Sequence, residues 1–332
     1  MFQCRRPLLP QILFSALLAT CMAAASHGED FSEEQHRQLK EMRRAGYNLL
    51  YAEKFDDARA AFERMIDAFP ARWEGYYDMA CYHLRQEQGE PAIGWLHKAV
   101  DNGCDDYEFF RTDSDLRLVR ESLPQDYRAL LEKVQSRAKE RTAREVRERA
   151  SKLATKLPKG PLFEFDFKLR QLLTDGELSL TDLKGKVIIV DIWGTWCPPC
   201  RMEVPHFVEL YNKYHDAGLE VVGINFEKDR SGAYLDYEGS RAKVPGEARR
   251  LGINYALLFG IQEIIRQVPG FRGFPTTLFI DHEGAVRVRE VGYKPLEELE
   301  PIVLALLGDK IAADEAAREP AEEKDTESEE AE

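Results

Sequence analysis

The chain has 332 residues, 44% of them hydrophobic and 32% charged, with a formal net charge of −13. A chain this long exceeds what one hydrophobic core organises and is expected to hold two domains of ~100 to 200 residues. The acidic balance argues against nucleic acid as a partner, and four cysteines beyond the first 25 residues are too few for a disulfide-stapled scaffold.

Arg5 and Arg6 precede an apolar stretch from Leu8 to Ala25 that is interrupted by Pro10 and Gln11 and closes in Ala23-Ala24-Ala25. That is the layout of a signal peptide over residues 1–25, cleaved after Ala25. The expected location is therefore exported, periplasmic or cell envelope. Leu18-Ala19-Thr20-Cys21 resembles a lipoprotein box with an unfavourable threonine, which makes a lipid anchor at Cys21 the lesser alternative.

Residues 31–132 are expected to form a helical domain, and between Leu39 and Cys104 it contains an internal repeat. At an offset of 34, Gly46 falls on Ala80, Ala58 on Ala92, Phe62 on Leu96 and Met65 on Ala99. Small residues at this period mark the helix-turn-helix pattern of tetratricopeptide repeats, where they let paired helices approach closely. Two ordinary amphipathic helix pairs are the alternative. The stretch "DYEFFRTDSDLRLVRESLPQDYRALL" resembles the closing segment of such proteins, and Cys81 and Cys104 read as small core residues.

Residues 133–160 form a charged helical linker. From Lys133 to Lys156 nine bases stand against three acids, with Val146, Ala150, Leu153 and Leu157 making one narrow apolar seam. From 161 to 308 the period changes to strands: "FEFDF" alternates, "KVIIVDIW" and "LEVVGINF" are buried runs, and "TTLFIDHEG" with "VRVREVGY" reads as a hairpin. Helices are expected over Pro198 to His215, around Glu247 to Leu251, and over Pro295 to Leu307. A mixed sheet with helices on both faces follows, so this half is α/β behind an all-α half. Residues 309–332, with eleven acids and three bases, are expected to be an unstructured tail.

"VDIWGTWCPPCRMEVP", residues 190–205, carries the chemistry. Zinc needs two close ligand pairs and the chain offers one, so no metal is expected. A disulfide closing a two-residue loop stabilises a fold little. A buried strand, a turn, and then Cys197 at a helix N-terminus place a sulfur where unpaired N–H groups favour an anion, which lowers the thiol pKa. Cys200, three residues on, is positioned to resolve a mixed disulfide. Pro198 and Pro199 suit the first turn, where a missing N–H costs the helix nothing. They also remove donors to a thiolate, so activation of Cys197 is expected to be moderate. Asp191 interrupts an apolar run and reads either as a buried acid, a proton acceptor for Cys200, or as a solvated residue at the strand end. Glu203 reads either as a second tuning acid or as a solvent-facing helical residue.

Residues 161–308 resemble the thioredoxin superfamily, specifically its exported TlpA/ResA-like thiol-disulfide oxidoreductases. The resemblance rests on Trp196-Cys197-Pro198-Pro199-Cys200, on Glu203-Val204-Pro205, and on "GFPTTLFID". It implies a thioredoxin-like fold, a redox-active Cys197–Cys200 disulfide, and Pro275 as a cis-proline beside the pair that exposes backbone to a substrate strand. Phe274 departs from the family, which favours a small or β-branched residue there. Asp191 also departs from that branch, which commonly has asparagine, and resembles thioredoxin itself.

The expected function is reduction of protein disulfides, without a cofactor, with re-reduction by a membrane electron donor and a peptide or protein partner on the helical repeats. An adaptor that uses the thioredoxin-like domain as a scaffold is the alternative. A thiol peroxidase would need Pro-x-x-x-Thr-x-x-Cys, which is missing from the sequence.

Overall fold

The computed structural model describes residues 31–318. The leader, Cys21 and residues 319–332 lie outside the described residues. Two compact units divide between Thr142 and Ala143.

The first unit is helical. Helix α1 (Glu33–Tyr51) starts in a capping box, Ser32 Oγ accepting from the Gln35 N–H and Gln35 Oε1 accepting from the Ser32 N–H at 2.8 Å. It packs on α2 (Phe55–Ala68), and α3 (Trp73–Arg85) packs on α4 (Gly89–Asp101). Gly46 shows why small residues recur: a Cβ there would meet the Phe62 ring at 2.4 Å. Ala80, its counterpart 34 residues on, is fully buried in one cluster with Leu96. Cys81 and Cys104 are buried in that same cluster. Asp78, also fully buried, accepts from Arg43 Nε at 2.8 Å and from the Tyr47 hydroxyl at 2.9 Å, so its charge is not left unpaired.

Short helices α5 (Tyr107–Thr112) and α6 (Arg117–Ser122) lead into α7 (Pro124–Ala154). The charged linker is therefore no separate helix, because α7 starts inside the expected cap region with Tyr127, Leu130 and Val134 buried in the helical core. Val146 and Ala150 are buried further along, and Leu153 and Leu157 pack on the core of the second unit.

In the second unit β1 (Lys168–Arg170) and β2 (Glu177–Ser179) form a small antiparallel hairpin. "FEFDF" is not a strand. Phe165 and Phe167 are buried and the acids beside them exposed, but the strand ladder begins at Lys168. Alternation reports which side chains are covered, and a ladder needs a partner as well.

The main sheet is built from β3 (Val187–Trp193), β4 (Leu219–Asn225), β5 (Ala256–Phe259), β6 (Thr276–Ile280) and β7 (Val286–Val291), in the order β5-β4-β3-β6-β7. The first three strands are parallel, and β6 and β7 are antiparallel additions. Between them run α8 (Pro198–Tyr214), α9 (Tyr237–Leu251) and α10 (Gln262–Gln267), and α11 (Leu296–Arg318) follows. Helix α9 starts well before Glu247, where Asp236 accepts from the Gly239 N–H at 2.8 Å as an N-cap. Helix α11 continues ten residues past Gly308, consistent with the helix propensity of an Ala-rich, charged sequence. Residues 309–318, expected within the unstructured tail, are thus helical.

Central β3 is buried along its whole length. Val187, Ile189 and Trp193 face a core shared with Cys197, Cys200, Val204 and Phe207, while Ile188, Val190 and Ile192 face a second core with Val222 and Leu278. Among the described residues no helix is long and apolar enough to cross a membrane.

Candidate active site

The site grows from the C-terminal end of β3. Gly194 permits the turn: a Cβ there would meet Trp196 Nε1 at 2.4 Å and the Phe226 carbonyl at 2.9 Å. The Trp196 indole consequently folds back over Gly194 and donates to Phe226 O at 2.7 Å.

Cys197 is the N-cap of α8, and Pro198 and Pro199 occupy its first two positions. Neither proline has an N–H, so the first donor available is that of Cys200, which points at Cys197 Sγ from 3.4 Å. Cys197 and Cys200 form a disulfide with a Cα separation of 5.3 Å. Cys200 is fully enclosed, and Cys197 is 4% exposed.

Asp191 lies two residues before Trp193, so the two-residue period of a strand puts it on the face that carries the cysteines. It pairs in register with Gly223 of β4 and Thr277 of β6. The side chain is fully buried, and neither oxygen takes a hydrogen bond among the described residues. Burial pushes its pKa well up, and the charge of Glu203 adds to this. The solvated reading of Asp191 fails because β4 and β6 flank it on both sides.

Glu203, which the sequence left open, is also fully buried. Its Oε1 accepts from the Lys294 N–H at 2.9 Å, and burial pushes its pKa up to about 7. A third group joins these two. Tyr255, at the approach to β5, is buried with its hydroxyl unpartnered among the described residues, and burial followed by the charges of Asp191 and Glu203 pushes its pKa well up. The position one turn beyond Cys200 was a readable signal for Glu203. Nothing local in the sequence marks Tyr255.

The Phe274–Pro275 peptide is cis. Because Ile192 pairs with Thr276, Pro275 stands at the same sheet end as Trp193 and the cysteine turn. The Phe274 ring meets Trp196 edge-on at 5.3 Å. Its backbone N–H and carbonyl carry no hydrogen bond among the described residues.

Sequence reasoning missed Glu227. Its buried carboxylate accepts from the Thr195 N–H at 3.2 Å, the Thr195 hydroxyl at 2.8 Å and Lys243 Nζ at 2.6 Å, which fastens the turn before the cysteines. An acid directly after a buried run, the same pattern that singled out Asp191, was the available signal. Among the described residues no group of three or more His, Cys, Asp or Glu is arranged to hold a metal.

A mixed sheet of this order, with a Cys-x-x-Cys pair opening the helix after its central strand and a cis-proline across from it, defines a thioredoxin-fold dithiol protein. Residues 163–289 match the AhpC/TSA family. The chain is 31% identical to the thiol-disulfide oxidoreductase ResA of Geobacillus thermodenitrificans, over 40% of this chain and 70% of that protein. It is also 31% identical to ResA of Bacillus thuringiensis, over 37% of this chain and 65% of that protein, so it spans about two thirds of such relatives. A thiol:disulfide interchange protein of Chlorobium tepidum is 28% identical, with 46% of this chain and 99% of that chain covered and a TM-score of 0.39. The chain belongs to the thioredoxin-like family of the ResA thiol-disulfide oxidoreductases.

Proposed function

We infer that the protein is an exported thiol-disulfide oxidoreductase that reduces disulfides in client proteins. The observation that carries this reading is Cys197 capping α8, with the Cys200 N–H aimed at its sulfur and Asp191 buried on the same face of the sheet.

In the reduced protein the Cys197 thiolate attacks one sulfur of a client disulfide, and the other client sulfur leaves as a thiolate and takes a proton from water. Cys200 gives its proton to the Asp191 carboxylate and attacks Cys197 Sγ. The second client thiolate is released, and the Cys197–Cys200 disulfide remains. Two electrons pass to the client in each cycle, so a dithiol donor must restore the pair; in an oxidising compartment a membrane electron donor suits that role. The cis-proline turn supports strand-like docking, since the unbonded backbone of Phe274 is free to pair with an extended client segment. Trp196 and Phe274 would then carry its side chains. Signal-directed export and docking of a partner on tetratricopeptide-like helix pairs belong to the same proposal; the first rests on the leader sequence, the second on the 34-residue repeat.

Cys197→Ser is expected to abolish catalysis of insulin reduction by dithiothreitol, and an unchanged rate would refute the reading. The direction of electron flow follows from the midpoint potential against glutathione, expected near thioredoxin's ~−270 mV rather than the ~−120 mV of a strong oxidant.

A further inference from the structure

The segment after β4 runs along the rim of the cysteine turn, and successive residues serve opposite sides. The Phe226 carbonyl holds the Trp196 indole, Glu227 turns inward to Thr195, and Lys228 turns outward. Its ammonium lies over two rings, 4.0 Å from the centroid of Trp196 and 4.8 Å from that of Tyr234. The backbone here is fixed. Lys228 bridges antiparallel to Tyr234, the Leu235 N–H donates to Glu227 O at 2.9 Å, and the Asp229 N–H donates to Ala233 O at 2.9 Å.

The charge of Lys228 has no acid to match it. Glu227 is taken by Thr195 and Lys243. Asp229 accepts from the Ser231 N–H at 2.8 Å, the Ser231 hydroxyl at 2.6 Å and the Ala233 N–H at 3.0 Å, bonds that hold its carboxyl below the usual range. Among the described residues no carboxylate stands within ion-pair distance of Lys228 or of the exposed Arg272, two residues before Phe274. On a chain of net charge −13, the entrance to the cysteines thus carries uncompensated cations beside aromatic rings. A lysine resting on aromatic faces is placed to meet an incoming anion.

We propose that Lys228 is a specificity-determining contact, and that the clients are extended protein segments with an aspartate or glutamate beside the disulfide cysteine and an apolar neighbour laid on Trp196 and Phe274. This rests on the reductase reading above. The acid pairs with Lys228 while the adjacent cystine sulfur meets Cys197, so the contact acts during capture of the client and leaves the sulfur chemistry as described.

The test uses the full-length protein, reduced with dithiothreitol and then freed of it. Two synthetic peptides with one internal disulfide, identical except for Asp or Lys beside a cysteine, are compared with the small neutral disulfide hydroxyethyl disulfide. In this single turnover the second-order rate constant for oxidation of the reduced pair is expected to favour the acidic peptide by about fivefold, the range of a half-exposed ion pair. That ratio falls to near one in Lys228→Gln and inverts in Lys228→Glu. Using the ratio within each variant removes any change in folding or intrinsic activity. If the wild type reduces neither peptide nor the neutral disulfide, the reductase reading fails. If it reduces both peptides equally, or keeps its preference in both variants, the lysine proposal is overturned and the reductase reading stands.

Discussion

Two buried carboxyls within electrostatic reach of one another, Asp191 and Glu203, set how this site responds to pH. Glu203 binds its proton more tightly in the folded protein than in the unfolded chain. Its contribution to stability is therefore fully present below the unfolded carboxylate value and is lost as pH rises through about 7. The unfolding free energy of the oxidised protein, and with it the melting temperature, is expected to fall between pH 4.5 and 7, by at most ~1.4 kcal/mol per pH unit from this group, and Glu203→Gln should flatten that fall. Asp191 shifts in the same direction. For catalysis the sign is opposite, because only the ionised Asp191 accepts a proton. Asp191→Asn is expected to slow release from the mixed disulfide on the order of 10²-fold and to remove the rise of that step with pH, as measured by stopped-flow thiol release. The cysteines, Asp191 and Pro275 were legible because each carries a local mark: spacing, a charge inside an apolar run, or a motif. The burial of Glu203, Tyr255 and Glu227 depends on contacts from Lys294, β5 and Lys243, which no window of sequence brings together.

The turn between β3 and α8 is held from beneath by one element that sequence pattern shortened by ten residues, α9. Lys243 on that helix reaches Glu227, and Glu227 holds Thr195. Lys243→Met leaves the Glu227 carboxylate buried without its cation. The variant is expected to lose about 1 to 3 kcal/mol of stability and to lower the alkylation rate of reduced Cys197 with iodoacetamide, and Lys243→Arg should restore both. If Lys243→Met alkylates at the wild-type rate, the turn does not depend on this clamp. The long buried strands β3 and β4 were readable as apolar runs bounded by turns. Strands β1, β2 and β5, at three or four residues each, are too short to show a period, and Pro245, a residue type that usually ends or kinks a helix, lies inside α9.

At the scale of the molecule, the clusters of buried residues differ between the two units: Phe62 belongs to one and Leu96 and Leu130 to another in the helical unit, while Trp193, Phe207 and Val303 share one in the second. Phe62 is fully buried, and Phe62→Ala is expected to destabilise the helical unit by ~3 to 5 kcal/mol. The redox midpoint of Cys197–Cys200 should not move, and a shift beyond 10 mV would mean that the helical core tunes the pair. Helices α1 to α4 cover the residues that carry the 34-residue period. That α7 is continuous was not legible, because its charged middle matches a linker in composition while its ends pack as ordinary amphipathic helix.

The four tryptophans divide the same way, and this makes the protein its own optical instrument. Trp73 and Trp95 belong to the helical unit, whereas Trp193 shares a core cluster with both cysteines and Trp196 precedes them in sequence. A disulfide beside an indole quenches its emission, so reducing the pair should brighten the Trp193 and Trp196 signals over a steady background from the other two. Trp193 is enclosed and Trp196 is 36% exposed, so the first should emit to the blue of the second. Electron transfer at the cysteines and arrival of a client on the Trp196 face would then be read as separate colours of one spectrum, without any added label.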